Sequence, residues 1–159
     1  MVVLIGKPTN TGTFNMRNQR RLPQVALLVG GLAMLAAGAD HLEEYIANYF
    51  STVPTIGTLF LLNFIAASGV GVGLLLPLGH FFPRHGERLR TALALSGIGI
   101  AVSSLVGLWI SEQSSLFGFM DHGFRPAVVA AIAAETTAAL SLGAYLAMTG
   151  VRLRRLRAV

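Results

Sequence analysis

The sequence predicts an all-α membrane protein, a bundle of four transmembrane helices with both termini on one side. Three observations carry this expectation. Of 159 residues, 53% are hydrophobic and only 12% charged, with a mean hydropathy of +0.65. A water-facing domain is nearer about 25% charged, so this chain lacks the polar surface to cover itself. Four apolar runs each reach the roughly 20 residues needed to cross a bilayer as a helix. Finally, 11 of the 12 Lys and Arg residues fall on one side once those runs are threaded alternately through a membrane.

The first span is expected over about 22–45, with an uncharged stretch from Gln24 to Ala39. The second, about 54–78, contains no charge at all. The third covers about 89–111, and the fourth about 126–150, interrupted only by Glu135. Pro54 and Pro126 suit a first helical turn, where a missing N–H has no intrahelical partner to lose. Gly150 is placed where a helix could stop. Barrel strands would alternate apolar and polar residues, whereas these runs are apolar on every side. In hydrocarbon such runs satisfy their own backbone hydrogen bonds as helices. Residues 1–20 read as a mobile cytoplasmic tail, 21–150 as the transmembrane domain and 151–159 as a basic cytoplasmic tail. Met16 is an alternative start, since Met16–Arg21 makes a normal basic flank, and no cleavable signal or lipidation motif is evident.

Lys7, Arg17, Arg20 and Arg21 precede the first span, Arg84, Arg88 and Arg90 join the second to the third, and Arg152, Arg154, Arg155 and Arg157 follow the fourth. Only Arg125 lies on the opposite side. The positive-inside rule therefore predicts both termini in the cytoplasm of a plasma-membrane protein. A net charge of +5 and a pI near 10.8 would suggest nucleic acid for a soluble protein. Here they read as a topology label, and the partners implied are the bilayer and its anionic headgroups. The chain has no cysteine, which excludes disulfides, thiolate metal sites and cysteine nucleophiles.

A shift of 72 positions brings Asp40 onto Glu112, Pro54 onto Pro126 and Asn63 onto Glu135. Each half becomes a hairpin with an acid at its outer turn and a polar residue nine positions past a proline. Duplication of one hairpin and coincidence between two similar hairpins both account for this. Nine residues at 1.5 Å place Asn63 and Glu135 about 13 Å inside the membrane, and Ser104 falls at about 12 Å with Ser103 beside it. Glu135, Asn63, Ser103 and Ser104 thus form an expected polar layer. No Lys or Arg lies at that depth, and no histidine is expected there either. A carboxyl so placed is expected to stay neutral and hydrogen-bond to Asn63, Ser103, Ser104 or Thr136. It serves either as a proton, cation or ligand site or as interhelical glue.

At the outer side Asp40, His41 and Glu44 share a helix face, and Asp121 and His122 sit in the other outer loop. Together they would suit a divalent cation such as Zn, Mn or Fe, although the spacing matches no specific metal motif. The alternative is a hydrated acidic helix end with Arg125 paired to Asp121 or Glu112. A haem between His41 and His122 would fit only near the outer surface, and no cofactor is otherwise indicated.

Tyr45, Tyr49, Phe50, Trp109, Phe117 and Phe119 fall at the outer boundary and Phe81 and Phe82 at the inner one, as interfacial belts. Gly69 and Gly73 in the second span and Gly107 in the third offer small-residue seams for helix packing or for a homodimer or larger membrane complex. The glycines lack the strand and lysine of a phosphate loop, and no nucleophile–base–orienter set appears on one side of the membrane.

The segment Val53-Pro54-Thr55-Ile56-Gly57-Thr58-Leu59-Phe60-Leu61-Leu62-Asn63, preceded by His41-Leu42, resembles a group of small actinobacterial integral membrane proteins. They carry an Ile-Pro-Thr-Ile-Gly-x-Leu-Phe-Leu-Leu-Asn-like opening of the second span. The resemblance covers about the first half of the chain, and the acidic Glu43-Glu44-Tyr45 departs from the apolar or aromatic residues expected there. It implies the four-span class and no activity, and it links His41, Pro54 and Asn63. The leading expectation is a non-enzymatic accessory or structural membrane component. The alternatives are a small proton- or cation-binding transport protein using Glu135 below an acidic vestibule, and a metal-dependent membrane enzyme at His41 and His122.

Overall fold

A computed structural model describes residues 11–120, 123 and 125–157. Five α-helices are formed: α1 (Thr11–Ala47), α2 (Ile56–Leu75), α3 (Leu78–Phe81), α4 (Gly86–Gln113) and α5 (Pro126–Arg157). A 3-10 turn, Phe50–Thr52, lies between α1 and α2. Within α1, α2, α4 and α5 lie the four stretches long and apolar enough to cross a membrane, at Arg21–Ala47, Ile56–Leu75, Gly86–Gln113 and Pro126–Gly150. The chain is all-helical, as its uninterrupted apolar runs require, and among the described residues it forms no strand.

Several boundaries differ from the sequence expectation, each for a local reason. Helix α1 starts at Thr11, inside the predicted tail, and passes through Pro23. A proline there removes one backbone bond without stopping a helix that long. Helix α2 starts at Ile56 rather than Pro54, whose carbonyl accepts the Ile56 N–H at 2.7 Å in a tight turn. It ends at Leu75 because Pro77 holds Leu76 extended. Helix α5 runs through Gly150 to Arg157, so this glycine is not a stop.

The turn from α1 into α2 is sharp. Tyr49 (φ 61°) and Thr55 (φ 66°) both take positive φ, uncommon for residues bearing a Cβ. Gly57 lies against the Phe50 carbonyl so closely that any side chain there would overlap the backbone. Between α4 and α5 the chain makes a two-residue reversal at Phe117 (φ 52°) and Gly118 (φ 82°). Leu116 and Phe119 exchange backbone hydrogen bonds of 2.7 and 2.9 Å across it.

In the bundle α1 packs along α2 and α5, and α4 completes the ring against α5 and α2. The start of α1, the end of α5 and the α3 connection share one end of the bundle, the basic one; the α1–α2 and α4–α5 turns share the other, the acidic one. The tight core centres on Met34, Ala67, Ala94, Ala138 and Leu142, with Ala33, Val70 and Leu74 around it. Its closeness comes from side chains that are missing. A Cβ on Gly71 would lie 2.9 Å from the Gly31 carbonyl and 2.8 Å from Leu35, so α1 and α2 approach backbone to backbone there. Gly30 and Gly97 make room for Leu142. A Cβ on Gly69 or Gly107 would meet nothing within 4 Å and one on Gly73 only the Leu93 side chain, so these three do not set a close backbone approach within the described bundle.

Leu28 and Leu32 on α1, Leu62 and Ile65 on α2, Leu95 and Val102 on α4, and Leu140 on α5 point outward and are exposed. Water would make this belt unfavourable, at roughly 25 cal/mol for each Å² of apolar surface. Bilayer hydrocarbon removes that penalty.

Candidate functional site

The candidate site begins with a helical stripe on α1. Gly30, Gly31, Ala33, Met34, Ala37 and Gly38 are buried, and the same face continues through His41 and Glu44. The stripe recurs at three- and four-residue steps, so the two polar residues inherit positions facing the bundle. His41 lies six residues inside the end of α1, about 9 Å from it.

The His41 Nδ1–H donates to the Ala37 carbonyl at 2.8 Å. A carbonyl only accepts, so this bond fixes the proton on Nδ1 and turns Nε2 inward. Nε2 lies 3.3 Å from the Ser104 hydroxyl and 3.7 Å from Oε1 of Glu135. Glu135, 2% exposed, projects from α5 towards the same point. Three helices thus meet at one imidazole and one carboxyl. This corrects the expectation that no ionisable group shares the depth of Glu135. With its proton on Nδ1, neutral His41 accepts a hydrogen bond at Nε2 from the Ser104 hydroxyl, while the Glu135 carboxyl lies just beyond hydrogen-bond distance, near enough for an ion pair if the imidazole is protonated.

Glu44, one turn nearer the acidic end, belongs to a separate pair. Its Oε1 accepts from the Asn48 amide at 2.6 Å and its Oε2 from Arg125 at 3.2 Å. Arg125 therefore reaches Glu44, a partner the sequence did not suggest; of the two expected partners, Asp121 lies outside the described residues. The Glu112 carboxylate instead accepts the Gly123 N–H at 3.4 Å. The guanidinium stands 5.7 Å over the Phe50 ring. Phe50 stacks on Phe60 at 4.8 Å and meets Phe119 edge-on at 5.3 Å, and Phe60 lies 5.2 Å from His41. An aromatic cluster thus separates the His41–Glu135 pair from the acidic end.

Beside the pair is a cavity of about 430 Å³. Its polar wall carries Asp40, His41 and Glu44 from α1, Asn63 from α2, Ser104 from α4 and Glu135 from α5. Two buried acceptors in this wall, Oδ1 of Asn63 and Oε1 of Glu135, have no hydrogen-bond partner among the described residues. Asp40 is close enough to Glu135 to couple electrostatically with it.

Of the expected polar layer, Asn63, Ser104 and Glu135 all face this cavity. Ser103 lines its edge, but its hydroxyl donates to the Ile100 carbonyl at 2.9 Å and is turned outward. Of the expected metal set, Asp121 and His122 lie outside the described residues. The other three are divided, His41 towards Glu135 and Glu44 towards Arg125, with Asp40 on the cavity wall. Among the described residues no three His, Asp or Glu side chains converge as a metal site. Phe60 and Phe50 are site residues that sequence reasoning treated as helix or belt positions.

No family model matches the chain, and neither curated proteins nor solved structures show a significant match to it.

Proposed function

We propose that this chain is a non-enzymatic, multi-pass plasma-membrane protein that binds a proton or cation at the His41–Glu135 pair, as a small transport or carrier component. The observation that carries this reading is the 3.7 Å approach of two buried ionisable groups from different helices beside a 430 Å³ cavity. Interhelical glue needs no cavity, and a packed polar contact leaves no acceptor unpartnered. Ionisable groups within a span that face a cavity are typical of ion and proton pathways. The basic end lies in the cytoplasm under the positive-inside rule, which places the cavity in the outer half of the membrane. Asn63 and Glu135 facing one cavity also supports a pseudo-twofold relation between the two hairpins.

Infrared difference spectroscopy on proteoliposomes tests the reading. A step from about pH 5 to about pH 9 is expected to change a carboxyl C=O band that Glu135→Gln removes and His41→Gln shifts. A Glu135→Gln spectrum identical to that of the parent overturns it.

A further inference from the structure

The size and opening of the cavity ask for more than a proton. A water occupies about 30 Å³ of liquid, and small-molecule pockets run from about 300 to 1,000 Å³. At 430 Å³ this cavity belongs with the latter. Its direction of opening can be read from exposure. The exposed lining residues Leu59, Leu62, Ala66 and Ser103 all belong to α2 and α4, while those from α1 and α5 are buried or half-buried. The two helices converge towards the basic end, where Leu93 packs on Gly73 and Val70 faces Gly97. Towards the acidic end Leu116, Phe119 and the Arg125–Glu44 pair stand over the space. The mouth therefore faces sideways, between α2 and α4, into hydrocarbon.

Charge identifies the head group. Glu44 is neutralised by Arg125. If His41 and Glu135 share one proton, they sum to zero whether it rests on the imidazole or on the carboxyl. Asp40 then remains as a negative charge on the wall, and the unpartnered oxygens of Asn63 and Glu135 are acceptors. A negative, acceptor-rich wall behind an apolar, lipid-facing mouth is complementary to one chemistry.

We infer that the cavity is a lateral binding site for an amphiphilic amine, whose ammonium head meets Asp40, Asn63 and Glu135 while its apolar body lies between α2 and α4. The inference rests on the proposed cation-binding role of the His41–Glu135 pair and specifies the ligand. Amines reach the site by partitioning into the bilayer, where burial of the apolar body concentrates them beside the mouth.

The absence of native cysteine allows one label without background. A bimane fluorophore on Ser103→Cys, at the edge of the mouth, is titrated in nanodiscs with octylammonium, octanol, octanoate and methylammonium. Octylammonium is expected to give a saturable response, octanoate none, and octanol and methylammonium half-saturation at concentrations about tenfold higher or more. Asp40→Asn, which removes the charge, and Leu62→Trp, which fills the mouth, are each expected to weaken octylammonium about tenfold. Equal responses to octylammonium and octanoate, or a response unchanged by Asp40→Asn, overturn the inference. A methylammonium response as strong as that of octylammonium overturns the amphiphile. If these occur while the Glu135-dependent infrared band persists, only the ligand assignment fails; loss of the band removes the reading beneath it.

Discussion

Nε2 of His41 on α1 and Oε1 of Glu135 on α5 lie 3.7 Å apart, 94 positions from one another in the chain and both buried. The guanidinium of Arg125 is engaged by Glu44, which leaves the His41 imidazole as the basic group facing Glu135. Breaking the pair from either side therefore has unequal consequences. His41→Ala removes the imidazole, leaves the Ala37 carbonyl to its helical bond alone and leaves Glu135 beside an enlarged void. Thermal unfolding in detergent is expected to show a loss of about 2–4 kcal/mol. Glu135→Gln preserves shape and acceptor and is expected to lose less than about 1 kcal/mol. Equal losses would mean that the pair is not the unit.

Arg125 ties the start of α5 to the end of α1. Its guanidinium is partly open to solvent while the Glu44 side chain is 4% exposed, so screening weakens the attraction but not the need for a partner. Arg125→Ala is expected to destabilise by about 1–2 kcal/mol, and Arg125→Lys to recover only part of this, lacking the planar group that lies over Phe50. Denaturation in mild detergent, with Arg125→Ala/Glu44→Gln as the closing corner of a double-mutant cycle, reads the coupling.

Two glycines on α2, two residues apart, should respond oppositely to alanine. A Cβ on Gly71 meets the Gly31 carbonyl at 2.9 Å, and backbone cannot swing aside. Gly71→Ala is expected to cost about 1–3 kcal/mol by forcing α1 from α2. Gly69 has nothing within 4 Å, so Gly69→Ala is expected to be neutral or stabilising by up to about 1 kcal/mol through helix propensity. Melting curves of the two variants compare them directly.

Orientation is open to a labelling test on the cysteine-free background. Ser115→Cys, exposed at the acidic end, is expected to react in intact cells with a membrane-impermeant maleimide. Arg84→Cys, exposed at the basic end, is expected to react only after permeabilisation. The reverse pattern would turn the protein over in the membrane.

The four spans were legible in the sequence because apolar run length is a local property that bilayer thickness reads directly. The position of Glu135 along α5 was legible for the same reason, as a count of residues from Pro126, where the helix begins. The partner of Glu135 was not. His41 sits among Asp40, Glu43 and Glu44, and that acidic company reads as a solvated helix end. What placed it inside was rotation: the small-residue stripe through Gly30, Ala33, Ala37 and Gly38 carries His41 and Glu44 inward and leaves Glu43 outside. That periodicity was present in the sequence, unused. The point of closest approach between α1 and α2 was hidden for a related reason. Gly69-x-x-x-Gly73 has the expected spacing, but only the helix's orientation in the bundle selects Gly71 as the point of backbone approach. Which helices stand apart, and hence where the cavity opens, depends on packing between distant segments that no local pattern encodes.

The alanines of the basic half limit how this protein can change. Ala67, Ala94 and Ala138 are completely buried, so every replacement except glycine adds volume where there is none to give. Substitution there is a one-way door, and that half is a fixed chassis. Around the mouth, Leu59 and Leu62 are exposed on the outside of the bundle and can be lengthened, shortened or branched at little expense to the fold. A lineage could thus retune the shape of what enters from the lipid while the frame that holds His41 and Glu135 together stays untouched.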